Sequence, residues 1–215
     1  MEGPAAVTLR RPVPVGRQLA LERAGEGARV TDGDDLVAEV RPSALALDVP
    51  APVSPEEAEL ASSRFTEADE VFAHCFVCGT RREDSQRVFA GPLDVPGSVA
   101  SPWTPGDRWL APDGGRVLDE FVWAVLDCPT AYALWALRPG RLAMLGRMSA
   151  EVTEPVGLGE PCVVMAWTIE SEGRKHRTGA ALFGPGGRRK AVAEVLMIEV
   201  GAIPLDAAGR GGPAP

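Results

Sequence analysis

The chain has 215 residues with a formal net charge of -8, and hydrophobic residues make up 45% of it. The acidic balance excludes the basic footprint of a nucleic-acid binder, and the apolar content excludes a disordered tail. No apolar run approaches the ~20 residues of a membrane span, and the Met1-Glu2 start lacks the positive charge of a signal peptide. We therefore expect a cytoplasmic protein of bacterial composition, with neither nucleic acid nor membrane as partner. Its four cysteines should be reduced thiols or metal ligands.

Four short strands open the predicted structure, and a proline-rich linker with a short helix follows them. Ser54-Pro55-Glu56-Glu57 has the N-cap serine, first-turn proline and capping-box glutamate of a helix start, so we expect a helix over about residues 55–65. Short turns between neighbouring strands favour an antiparallel sheet. The four strands are predicted at about residues 5–12, 16–24, 27–32 and 35–41.

The longest predicted helix lies over about residues 118–137, because Phe121, Val122, Val125 and Leu126 recur at helical spacing and should face a sheet. Pro129 lies inside this pattern and has no amide proton for the carbonyl of Val125. We therefore expect it to kink or split the helix. Strands surround the helix, and the last two are separated by a Gly-Pro-Gly-Gly turn. These strands are predicted at about residues 86–92, 97–103, 142–154, 159–171, 174–184 and 188–200.

Two pairs of segments repeat in the same order along the chain. Residues 12–17 match residues 155–160 at an offset of 143, and residues 37–40 match residues 192–195 at an offset of 155. Such a repeat predicts two related units, of which the first has no room for a helix. We therefore predict a partial first unit, a linker with a short helix, a second unit and a disordered tail. Their predicted bounds are residues 1–42, 43–70, 71–203 and 204–215.

Two motifs resemble a known family. Cys75-Phe76-Val77-Cys78-Gly79 resembles the signature that opens hotdog thioesterases of the phenylacetyl-CoA thioesterase type, and Ala124-Val125-Leu126-Asp127-Cys128-Pro129-Thr130-Ala131-Tyr132-Ala133 resembles their central helix. The resemblance implies an α+β double hotdog, with antiparallel sheets and one long central helix in the second unit. The first unit, lacking its helix, would be incomplete at the N-terminus. It also implies an acyl-CoA or other acyl thioester as partner, and no cofactor is expected.

The resemblance makes Asp127 the candidate catalytic base or nucleophile. A carboxylate midway along a core-facing helix is costly to bury without a function or a partner, and the structural alternative is that it caps a backbone group or pairs with an arginine. Glu120, two turns earlier, is a candidate acid/base partner or simply favours the helix dipole. Trp123 is a candidate acyl-pocket residue. Where the family's helix begins with a His-Gly-Gly turn that supplies the oxyanion donor, this chain has Leu118-Asp119-Glu120.

Two further groups of residues have a functional and a structural interpretation. Arg174, Lys175 and His176 are candidate contacts for the phosphates of CoA, or else an ordinary solvated strand end. His74-Cys75 with Cys78 has the spacing of half a zinc site, but the other candidate ligands, Cys128, Cys162 and His176, offer no second pair at ligand spacing. We therefore expect no metal and predict that the purified protein carries no stoichiometric zinc. The pair is then a turn with two half-buried thiols.

Two functions remain open at this stage. The first is an acyl-CoA thioesterase or related thioester hydrolase, and the second is a non-catalytic hotdog module that binds an acyl group or a partner. The first sheet lacks a covering helix, so we expect it to lie beside the second unit with one face under-covered, and the chain to aggregate or form homo-oligomers. The apolar positions concerned are Val7, Leu9, Leu19, Leu21, Val37 and Val40.

Overall fold

The computed structural model describes residues 3–67 and 70–202, so the predicted tail lies outside the described residues. Within these ranges the chain is an α+β protein with two α-helices and one ten-stranded antiparallel sheet. Neither helix of the described part is long and apolar enough to cross a membrane. The helices are α1 (Pro55–Ser62) and α2 (Asp119–Leu137); the strands are β1 (Ala5–Leu9), β2 (Ala20–Ala24), β3 (Gly27–Asp32), β4 (Asp35–Pro42), β5 (Gly91–Pro92), β6 (Ser98–Trp103), β7 (Arg141–Val152), β8 (Cys162–Glu172), β9 (Lys175–Phe183) and β10 (Arg189–Ala202).

The strand order across the sheet is β2-β3-β4-β1-β7-β10-β9-β8-β6-β5. Starting from the contact between β1 and β7, one side of the sheet has the order β1-β4-β3-β2, and the other side has the order β7-β10-β9-β8. On each side the first strand of a set of four therefore pairs with the fourth. At this contact Ala6 pairs with Ser149, and Ala5 and Val7 pair with Ala150 and Met148. The numbers of Ala6 and Ser149 differ by 143, which is the offset of the first sequence match.

Helix α2 packs on one face of the sheet and builds the larger core. Val125 and Leu126 of α2 belong to this core together with Val195 and Met197 of β10, and all four are at most 2% exposed. Burying side chains of this size stabilises the fold by about 1.5–3 kcal/mol each. The helix is continuous from Asp119 to Leu137, so the expectation that Pro129 splits it is wrong. Pro129 itself is buried, and this packing holds the helix together at the point where one backbone hydrogen bond is lost.

Helix α1 covers the opposite face of the second unit. Its start has the predicted capping box, in which Ser54 and Glu57 exchange hydrogen bonds, and it ends at Ser62, three residues before the predicted end. Ala58 and Ala61 pack against Met165 and Trp167 and leave the acidic residues of the helix exposed. The linker helix therefore covers strands of the second unit and not the first sheet.

The predicted strand over residues 86–92 is a strand only at Gly91–Pro92. The amides of Gln86 and Val88 donate instead to the carbonyls of Phe76 and Val77, at 2.8 and 3.0 Å. Because these backbone groups bond to the preceding turn, they do not join the sheet ladder.

Strands β1–β4 join β7 edge to edge through β1, so they form one continuous sheet with the later strands and not the separate sheet that was expected. The apolar residues of this N-terminal part are only partly covered. Val37 is 2% exposed, whereas Leu21 on the outermost strand is 72% exposed. The half-buried positions between these extremes are Val7, Leu9, Leu19 and Val40.

A buried carboxylate joins the end of α2 to the sheet. The side chain of Glu199 on β10 is 7% exposed and hydrogen-bonds to Arg141. Its Oε2 lies 3.5 Å from Arg138 Nη1 and 3.7 Å from His176 Nε2. The hydrogen bond from Arg141 holds the pKa of Glu199 below its ordinary value, and burial together with the cation of Arg138 lowers the pKa of His176. Glu199 is therefore ionised and His176 favoured in its neutral form.

Gly179 on β9 is required because Trp167 lies over it. The two residues pair across β8 and β9, and a Cβ atom at Gly179 would lie 2.5 Å from two carbons of the indole ring. We expect Gly179→Ala to lower the free energy of unfolding by about 1–3 kcal/mol in urea titrations, because the ring must move. Gly201→Ala is the control, since a Cβ atom there would meet nothing within 4 Å. Equal losses for the two variants would contradict this account.

Glu199→Gln should lower the Tm by several degrees at neutral pH, because the neutral amide leaves Arg138 and Arg141 without their anion. The pKa of Glu199 is lowered in the folded state, so its contribution is present above the ordinary value of 4.5 and is lost as pH falls through the lower, folded value. The Tm difference from wild type should therefore persist at about pH 5 and shrink toward about pH 3.

Glu172→Gln, at an exposed position of β8, is the matched control for this titration and should leave the Tm unchanged. A Glu199→Gln protein with wild-type Tm at neutral pH, or a difference that grows on acidification, would exclude a stabilising role for this cluster.

Candidate functional site

Asp127 lies on the side of α2 that faces away from the sheet. The fully buried residues Val122, Val125 and Leu126 mark the sheet-facing side. Successive residues of an α-helix are rotated by about 100°, which places Asp127 roughly opposite them. Asp127 is half-buried there. The carboxylate of Asp127 therefore lies outside the core between helix and sheet.

The carboxylate of Asp127 has no hydrogen-bond or ion-pair partner within residues 3–67 and 70–202. Neither structural role considered for it, capping a backbone group or pairing with an arginine, is therefore realised in this part of the chain. Burial raises the pKa of Asp127 to about 6, and the negative charge of Cys75 adds to the shift. A half-buried carboxylate left uncompensated in this way is a functional-site candidate.

Glu120 and Trp123 lie on the same outward side of α2 but differ in exposure. Trp123 is half-buried one turn before Asp127, close enough to line a ligand held at the carboxylate. Glu120 is exposed and lies ~10 Å from Asp127 along the helix axis, at a rise of about 1.5 Å per residue. Trp123 lies one turn from each of the two carboxylates, which are themselves two turns apart.

The N-terminus of α2 is capped differently from the family's His-Gly-Gly turn. Leu118 occupies the N-cap without a side-chain hydrogen bond, and Asp119 forms an ion pair with Arg116 at 2.8 Å. The first helical amides lie ~12 Å from Asp127 along the axis. They are therefore too far away to donate to a carbonyl oxygen that contacts Asp127.

The basic residues predicted to bind phosphate lie on the hairpin between β8 and β9, near the C-terminal end of α2. Arg174 and Lys175 are exposed, and Arg174 Nε donates to the carbonyl oxygen of Glu199 at 2.9 Å. His176 is 2% exposed, and its Nδ1 lies 2.9 Å from Ser171 Oγ. Arg174 and Lys175 are thus open to a ligand, whereas His176 belongs to the buried cluster around Glu199.

The Cys75-Cys78 segment forms a tight turn after a 3-10 helix at Glu70–His74. The amide of Gly79 donates to the carbonyl of Cys75 at 2.9 Å. A Cβ atom at Gly79 would lie 2.4 Å from that same oxygen, so only glycine allows the chain to close here. The amide of Val77 points to Cys75 Sγ at 3.4 Å.

The turn places both thiols against α2, where they meet Cys128. Cys75 Sγ lies 3.4 Å from Cys128 Sγ, and the sulfurs of Cys75, Cys78 and Cys128 all lie within 4.8 Å of one another. The thiol of Cys128 hydrogen-bonded to Cys75 lowers the pKa of Cys75, and the same contact raises that of Cys128. Spacing along the chain offered no second ligand pair, because Cys128 joins the cluster only through the packing of the turn on the helix.

A small cavity of about 40 Å³ opens beside these thiols. Cys78 lines it together with Cys128, Tyr132 and Trp135 of α2. Cys78 Sγ is 3.8 Å from the hydroxyl of Tyr132. A larger cavity of about 660 Å³ lies on the α1 face between the linker and β8, and Asp127 does not line it.

No family model matches the sequence, and no curated protein matches it. Solved structures do match. The tesB protein of Mycobacterium avium subsp. paratuberculosis superposes with a TM-score of 0.58 at 16% identity, over 92% of this chain and 77% of that one. The PaaI protein of Escherichia coli, from the phenylacetic acid degradation operon, superposes with a TM-score of 0.52 at 11% identity, over 69% and 96%.

A further thioesterase superfamily protein superposes with a TM-score of 0.52 at 23% identity, and the match spans 59% of this chain and 60% of that protein. At such low identities the likeness concerns the fold alone. The chain therefore has the fold of hotdog thioesterase superfamily proteins, which confirms the resemblance inferred from residues 75–79 and 124–133.

Proposed function

We propose that the chain is an acyl-CoA thioesterase-like protein that hydrolyses or binds an acyl thioester on the outward side of α2. The observation that carries this proposal is the half-buried carboxylate of Asp127, which has no partner in the described part of the chain, on the central helix of a thioesterase-type fold. Burying such a group costs stability, so its presence without compensation points to a ligand or a reaction.

Asp127 would act on the carbonyl carbon of the thioester in one of two ways. As a nucleophile, the carboxylate adds to the carbonyl and expels the CoA thiolate, and water then hydrolyses the resulting anhydride. As a general base, it takes a proton from the water that attacks the carbonyl. Glu120 is exposed at ~10 Å from Asp127, so its proposed role as acid/base partner requires a proton carried by solvent or substrate.

The remaining substrate contacts are proposed along the same helix. Trp123 lies one turn from Asp127 and would line the acyl group. Arg174 and Lys175 lie near the C-terminal end of α2, ~16 Å from Asp127 along its axis, and would contact the phosphates, which the pantetheine arm of CoA separates from the thioester. His176 would act indirectly, because it is buried against Glu199, whose carbonyl holds Arg174.

The alternative function is a non-catalytic module that holds an acyl group or a partner. It is favoured by the N-terminus of α2, where the first amides lie too far from Asp127 to stabilise an oxyanion beside it. If the protein hydrolyses thioesters, a group outside the N-terminus of α2 must therefore donate a hydrogen bond to the oxyanion.

We also propose that the chain is a double hotdog that arose by duplication, with a first unit that lacks its helix. Two features support this arrangement: the identical strand order on both sides of the β1–β7 contact, and the pairing of Ala6 with its counterpart Ser149. Exposed and half-buried apolar residues of the first sheet, such as Leu21, support self-association through that face.

Asp127→Asn should lower the release of CoA thiol from medium-chain or aromatic acyl-CoA by about 10²–10⁴-fold, because the amide is neither base nor nucleophile. The same change removes an uncompensated carboxylate, so the Tm should stay equal to wild type or rise. Thiol release and thermal unfolding, measured on the same samples, check both expectations.

Glu26→Gln, in the exposed turn between β2 and β3, is the control and should leave the rate unchanged. Glu120→Gln tests the proposed acid/base partner and should lower the rate far less than Asp127→Asn, because Glu120 is exposed. Equal rates for wild type and Asp127→Asn would remove Asp127 from the mechanism. Tight binding of acyl-CoA without any thiol release would favour the non-catalytic module.

A further inference from the structure

We propose that Cys75, Cys78 and Cys128 together bind one thiophilic metal ion, Zn²⁺ or Cu⁺, with a further coordination position open to the small cavity beside α2. This proposal replaces the expectation of a metal-free protein, which rested on spacing along the chain alone. This inference does not rest on the proposed thioesterase function, because none of the three thiols is needed for the action of Asp127 on a thioester.

The three sulfurs are already close to the arrangement that a metal ion requires. They lie within 4.8 Å of one another, and the contact between Cys75 and Cys128 is 3.4 Å. Three thiolates at ~2.3 Å from one ion are separated by roughly 3.8–4 Å. The sulfur–sulfur distances therefore need to change by no more than about 1 Å.

The turn is built to hold its first thiolate. The amide of Val77 is directed at Cys75 Sγ, and amide donors stabilise negative charge on sulfur. Gly79 lets the chain close tightly enough for Cys78 to follow on the same side, because any side chain there would collide with the carbonyls of Ala73 and Cys75. The two ligands of the turn are thus positioned before an ion arrives.

The third ligand comes from a rigid element. Cys128 lies in the middle of α2, between Asp127 and the buried Pro129, on a helix whose position is set by the core. A site supported by a helix and a hydrogen-bonded turn pays little entropy on binding. Soft thiolate ligands select Zn²⁺ and Cu⁺ over Mg²⁺ or Ca²⁺.

The cavity supplies room for one more ligand. Its volume of about 40 Å³, reached by Cys78 and Cys128, holds a water molecule. Zn²⁺ would complete a tetrahedron with that water, whereas Cu⁺ is satisfied by the three thiolates alone. Both ions would be bound by the same three cysteines, and only Zn²⁺ would take a fourth ligand.

The test uses the full chain, reduced and stripped of metal under anaerobic conditions, and titrated with Zn²⁺ alone or Cu⁺ alone against a chromogenic competitor. We expect one ion per chain, and X-ray absorption should find three sulfur atoms at ~2.3 Å. In the zinc form the X-ray absorption data should also show one oxygen or nitrogen atom bound to the ion. In the copper form they should show the three sulfur atoms alone. Failure of both ions to bind at one equivalent would overturn the proposal.

Variants separate this site from adventitious thiol binding. Cys128→Ala should weaken metal affinity at least tenfold, whereas Cys162→Ala, a buried cysteine in β8 outside the cluster, should leave it unchanged. Unchanged affinity in Cys128→Ala contradicts the three-thiol site. If that variant does not fold, the sulfur count of the wild-type protein decides, because two or fewer sulfurs per ion exclude it.

Discussion

The packing of α2 against one face of the sheet is the constraint on which the rest of the molecule depends. Val122, Val125 and Leu126, each at most 1% exposed, lie in the core between α2 and the sheet and fix which side of the helix faces the strands. That orientation turns Asp127 outward and presents Cys128 to the turn at residues 75–79. It also carries Arg138, just after the helix, to Glu199 at the end of β10. If the helix were rotated, Asp127, Cys128 and Arg138 would face other parts of the molecule. The positions of these three side chains therefore depend on the packing of the core.

The carboxylates of Glu199 and Asp127 are both at least partly buried, but their surroundings differ. Glu199 has a hydrogen bond from Arg141 and a second cation close by, and its pKa is lowered. Asp127 has no partner in the described part of the chain, and its pKa is raised to about 6. The first carboxylate secures the end of the helix to the sheet. The second is held at a cost to stability, which is the usual condition of a group kept for binding or catalysis.

The edge pairing of β1 with β7 joins the four N-terminal strands to the rest of the sheet. Strand β1 pairs with the edge of β7 that would otherwise be open. Strands β2, β3 and β4 extend the sheet beyond this pairing. Strand β2 is exposed along its whole length, and strands β1–β4 have far fewer buried apolar residues than strands β7–β10.

The sequence by itself determined the local elements and the family of folds. Hydrophobic spacing placed α2 within one residue of its true start, the Ser54 and Glu57 capping box began α1, and residues 75–79 with 124–133 indicated the hotdog resemblance. These signals are local, because they depend on residues a few positions apart. Only the tertiary structure decided that Pro129 leaves α2 unbroken, that residues 86–88 bond to a turn and that Cys128 meets Cys75 and Cys78. These three features depend on contacts between segments that lie apart in the sequence, or on the packing around a residue. None of them follows from the order of neighbouring residues.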